Sequence, residues 1–73
     1  MRAMEYKSYR GTIEFSTEDN LFFGKVTDIR ALISYQGETP QELVRDFRSA
    51  IDDYLAICAA EGLEPEKGLY FDK

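Results

Sequence analysis

From Pro40 to Glu61, the apolar residues Leu43, Phe47, Ala50, Ile51, Tyr54, Ile57 and Cys58 recur at spacings of three and four. At about 100° per residue they fall on one face of a helix. Both ends carry stop signals. Thr39 is placed to cap an orphan amide with its hydroxyl, Pro40 suits the first helical position, and Glu42 completes a T-x-x-E capping box. Gly62 supplies the left-handed residue that ends helices, with Pro65 shortly after. The pattern predicts a helix over residues 40–61.

Upstream of the helix the period shortens to two. Tyr9, Gly11, Ile13 and Phe15 alternate with Arg10, Thr12 and Glu14, which predicts one half-buried strand. A polar, acidic turn at Ser16–Asn20 leads into a second strand, Leu21–Val26, so the pair reads as a hairpin. After the irregular Thr27-Asp28-Ile29-Arg30, a short third strand is expected over Leu32–Gln36, closed by Gly37. Leu69-Tyr70-Phe71 is a candidate for a short closing strand. The predicted class is α+β: a three-stranded antiparallel sheet covered on one face by one long helix, in the order β-β-β-α. No second helix is available for the other face. A small sheet left open in this way is expected to pair with another chain, and a homodimer is the simplest outcome.

Composition narrows the chemistry. The chain has 73 residues and is expected to form one domain over 1–73, because a chain this short buries only about 60% of its unfolded surface. A hydrophobic content of 44% is enough for a core. The absence of His and the single Cys remove His-based acid–base work, tetrahedral zinc sites and an internal disulfide. No apolar run approaches the ~18 residues of a membrane span, and Met1–Tyr6 lacks the apolar stretch of a signal peptide. A cytoplasmic protein without a cofactor is expected. The formal charge of −5 argues against nucleic-acid binding by this chain alone, since phosphate contacts need clustered Lys and Arg. Residues 1–37 hold five basic and five acidic side chains, and residues 38–67 hold three and eight, so the excess belongs to the helix and the segment after it.

Several groups invite a chemical role. Glu14, Glu18, Asp19 and Asp28 lie on or beside the strands, and strand carboxylates are what two-metal nucleases use to hold Mg²⁺. Turn acids are common, however, and so small a core offers little room for a substrate channel. Cys58 sits on the apolar helix face near its C-terminal end, which points to a buried structural thiol. The many aromatic residues lack interleaved basic partners and are expected in core and interface. On the helix, Arg48 and Asp52 are spaced for a weak solvated pair. Val44, Ile51 and Leu55 widen the apolar arc beyond what a small sheet covers, while Asp46 and Asp53 lie beside the opposite shoulder. An apolar ledge with carboxylates nearby suits a basic protein partner, which makes Val44, Asp46, Asp53 and Leu55 the candidate partner-binding residues.

Five blocks carry a family resemblance: Tyr9–Ser16, Phe22–Val26, Ile29–Thr39, Phe47–Leu55 and Glu64–Lys67. In that order they resemble the N-terminal domain of HicB-family antitoxins, from about Tyr6 to Lys67. The resemblance implies a partial ribonuclease H-like fold and a non-enzymatic role. In type II toxin–antitoxin pairs such a domain binds and masks a HicA-like toxin, a small basic ribonuclease that cuts mRNA. Many members continue into a C-terminal DNA-binding segment, and Gly68–Lys73 are too few for one, so operator binding is not expected of these residues. The alternatives are a metal-dependent ribonuclease H-like nuclease with Glu14 and Asp28 as ligands, or a stand-alone dimerising module.

Overall fold

The computed structural model describes residues 4–66. Its elements are β1 (Met4–Tyr6), β2 (Tyr9–Gly11), β3 (Glu14–Ser16), β4 (Leu21–Lys25), β5 (Ser34–Gly37) and α1 (Pro40–Glu61). Strands β3, β4 and β5 form a three-stranded antiparallel sheet in that order, and β1 and β2 a small two-stranded one. With α1 packed on the larger sheet, the class is α+β as the sequence predicts. The suggested strand at Leu69–Phe71 lies outside the described residues.

The ends of α1 follow from local chemistry. Thr39 is extended, and its Oγ1 accepts a hydrogen bond from the Glu42 N–H at 3.1 Å. The Glu42 carboxylate accepts from the Glu38 N–H at 3.0 Å, one residue before the cap, so both groups satisfy amides the helix cannot. At the other end Gly62 has φ 70°, and the Leu63 N–H donates to the Cys58 carbonyl at 2.8 Å, closing the last turn. Leu43, Phe47, Ile51 and Cys58 are buried. Full burial of side chains like the first three stabilises by about 1.5–3 kcal/mol each. Ile57 departs from expectation and is 57% exposed. A helix of 22 residues spans about 33 Å, whereas the four-residue β5 spans about 13 Å, so the flank of the later turns overhangs the sheet.

The first predicted strand is divided in two. Its register with β4 is continuous, since Gly11 faces Val26 and Glu14 faces Phe23. What interrupts it is Tyr35. The Tyr35 hydroxyl donates to the Thr12 carbonyl at 2.8 Å, and the Thr12 Oγ1 accepts instead from the Lys25 N–H at 3.0 Å. Gly11 and Gly24 make room for this arrangement. A Cβ on Gly11 would collide with the Tyr35 hydroxyl and the Phe47 ring, and one on Gly24 with the Thr12 carbonyl. Burial above all pushes the Tyr35 hydroxyl up to about 12. Phe47 meets the Tyr35 ring edge-on, with centroids 5.0 Å apart. Tyr9, Val26, Ile33, Leu43 and Ile51 complete the core around that pair.

Two further differences are local. The hairpin that pairs β1 with β2 turns through Lys7 and Ser8, both with positive φ (53° and 69°). Neither is the Asn or Gly that marks such a turn in a sequence. The third strand of the sheet begins at Ser34 rather than Leu32, which is 87% exposed. The loop before it is held from a distance. Both carboxylate oxygens of Glu66 accept backbone N–H groups, from Arg30 at 2.7 Å and Ala31 at 2.9 Å. The Glu66 N–H donates to the Tyr54 hydroxyl at 2.8 Å, and its carbonyl accepts from the Tyr9 hydroxyl. The segment after α1 is thereby tied across the core.

Candidate functional site

Alternation along β4 separates two surfaces. Gly24 and the following Val26 are buried on the side toward α1, while Phe23 and Lys25 project from the other side and are exposed. Phe22 shares the helix side and packs on Phe15 of β3, ring centroids 4.8 Å apart. On the open side the register places Glu14, Phe23 and Gln36 side by side, one from each strand. An open groove of about 570 Å³ runs over this face, lined by Ser16, Asp19, Leu21, Phe23, Gln36 and Asp46 among others.

Two carboxylates from separate elements line the groove. Asp19 lies in the β3–β4 loop, where its backbone N–H donates to the Ser16 hydroxyl at 3.2 Å and its carboxylate lies 3.4 Å from the same hydroxyl. Asn20 takes the left-handed conformation that completes this loop, at φ 56°. Asp46 reaches from α1 to the edge of the sheet and accepts the Gln36 N–H at 2.9 Å. That bond also occupies an outward-pointing amide of the edge strand β5. Lys25 is a cation on the same sheet face.

The four residues singled out by the sequence do not share one surface. Asp46 and Asp53, seven positions apart, fall on the flank of α1 beside β5. Val44 and Leu55, eleven apart, fall on the other flank, and both are half-buried, Leu55 against the core. Val44 also lines a shallow pocket of about 330 Å³ with Pro40 and Gln41. Near that flank the charge is mixed. The Lys7 ammonium contacts the Asp52 carboxylate at 2.9 Å, holding that carboxyl below its ordinary value while its own rises. The Tyr6 hydroxyl donates to Asp52 at 3.2 Å, and the Arg48 guanidinium stands over the Tyr6 ring at 5.6 Å. The expected Arg48–Asp52 pairing is thus replaced by contacts from the β1–β2 hairpin.

Among the described residues, no group of three or more His, Cys, Asp or Glu side chains is arranged to hold a metal ion. Glu14 stays exposed on the open sheet face, and Asp28 sits in the irregular loop with φ 68°, its carboxylate accepting from the Thr27 hydroxyl at 3.0 Å. Cys58 is a buried free thiol. No described helix is long and apolar enough to cross a membrane.

Sequence reasoning missed the groove. Leu21 and Phe23 read simply as parts of an apolar strand, yet two-residue alternation through Leu21–Val26 already assigns them to the face opposite Gly24 and Val26. Asp46 could not be joined to Gln36 from sequence, because their contact depends on how α1 turns back beside β5. Comparison with protein-family models, curated proteins and solved structures gives no match.

Proposed function

We propose that this chain is an antitoxin domain of the HicB type, which neutralises a HicA-like mRNA interferase by binding it as a protein. The observation that carries this proposal is the open face of the three-stranded sheet, where exposed Phe23 lies among Glu14, Asp19 and Asp46. An inhibitor of this kind needs a surface rather than a catalytic centre, and a carboxylate-bearing surface attracts a basic ribonuclease. The order of sequence blocks from Tyr9 to Lys67 supports the same function, and the α+β sheet-and-helix arrangement agrees with what that resemblance implies. In this role the protein works in the cytoplasm, without a cofactor and without nucleic-acid contacts of its own.

Purified protein mixed with a purified HicA-like toxin is the test. A complex by light scattering, together with loss of RNA cleavage, is the expected result. No complex and unchanged cleavage would overturn the proposal. The same scattering measurement on the protein alone, at several concentrations, determines whether it also self-associates.

A further inference from the structure

We infer that the groove on the open sheet face seats an extended, arginine- or lysine-bearing segment of a protein partner, its cation over Phe23 and between Asp19 and Asp46. The inference deepens the antitoxin proposal, resting on it only for the partner that supplies the segment.

Shape and charge both favour this occupant. Leu21 and Phe23 give a largely polar lining its apolar part, with Phe23 38% exposed. A cation above an aromatic face is attracted by the ring, and its aliphatic stem covers apolar surface at the same time. Carboxylates approach from two separate elements, Asp19 from the loop and Asp46 from the helix, and Glu14 stands directly across from Phe23 on β3. The opposing Lys25 lies two positions beyond Phe23, against Ser34 of β5. Phosphate-bearing ligands are therefore disfavoured at the Phe23 end, and basic protein groups favoured.

The anchoring of Asp46 adds pre-organisation. The Asp46 carboxylate accepts the Gln36 N–H at 2.9 Å, whereas the Asp19 carboxylate has only the Ser16 hydroxyl, at 3.4 Å. Asp46 therefore does not need to be ordered from a fully free state when a ligand arrives. The flank carrying Val44 and Leu55 differs on this point, since Arg48 and Lys7 lie close to it and oppose a basic partner.

Two measurements test the inference. In the first, a blocked tri-arginine peptide is titrated into the protein and followed by amide NMR. Saturable shifts concentrated at Leu21, Phe23 and Gln36 are expected. Absence of shifts, or shifts spread evenly over Asp53, Glu61 and the other exposed acids, overturns it, as does an equal response to a short single-stranded RNA. In the second, the doubly substituted D19N/D46N protein is titrated with the HicA-like toxin. Each asparagine keeps one acceptor oxygen for the local hydrogen bond while removing the charge, so the melting temperature should hold while affinity falls about tenfold. If the toxin binds the wild type but D19N/D46N binds equally well, the groove is wrong and the antitoxin proposal survives. If the toxin does not bind at all, that proposal fails, and the peptide titration still decides the groove. Should peptide shifts vanish on self-association, a second copy of the chain is the occupant and the inference is overturned.

Discussion

The two faces of the three-stranded sheet are built from alternate residues of the same strands, yet they obey different constraints. Toward α1, Tyr35 enters a space left by Gly11 and Gly24, meets Phe47, and bonds the Thr12 carbonyl. Almost any change there meets a neighbouring atom. Away from α1, Leu21, Phe23 and Gln36 border an open groove, and the firm contact is the Gln36 N–H on the Asp46 carboxylate. The lesson is a division of labour within one sheet: packing on the covered face holds the fold, while the open face is the one we propose for recognition of a partner.

Substitutions can break that contrast. The largest effect is expected from Phe47→Ala, which removes a ring that is 1% exposed and should cost about 3–5 kcal/mol in chemical denaturation. A loss as small as that of a surface change would mean the covered face does not hold the fold. Next comes Tyr35→Phe. It leaves the Thr12 carbonyl without its hydroxyl partner and should cost about 1–3 kcal/mol.

The same residue sets an alkaline limit. Its hydroxyl sits at about 12 when folded against an ordinary value of 10, so the unfolded chain ionises first. Stability from this group is complete below pH 10 and is lost as pH rises toward 12. Melting curves across that window should flatten in Tyr35→Phe relative to wild type. The smallest effect on stability belongs to the open face: Phe23→Ala, on the central strand, should cost about 1 kcal/mol. A large destabilisation there would show that Phe23 is a packing residue after all.

The legible parts of the fold were those with local chemical causes. Thr39, Pro40, Glu42 and Gly62 set both ends of α1 by caps that involve near neighbours, so its bounds were readable to the residue. Strand β1 was not, because three residues have little periodicity and the Lys7-Ser8 turn carries none of the usual turn residues. The interruption after Gly11 was equally hidden, since it is caused by Tyr35, which is distant in sequence. Glu66 belonged to one of the quoted sequence blocks, but its hold on Arg30 and Ala31 exists only once the chain has closed on itself. For the site, Asp46 was singled out as an acid near apolar surface, whereas its companions Asp19, Leu21 and Phe23 had to be gathered by the register of the sheet. Helical spacing separated Val44 and Leu55 from it.

The central claim is that recognition resides on the open face independently of stability. Calorimetric titration of the HicA-like toxin into Phe23→Ala, with its melting temperature measured alongside, tests this most directly. An affinity loss of about tenfold or more, in a variant that still melts cooperatively and only a few degrees lower, is the predicted result. Wild-type affinity in such a variant would contradict it.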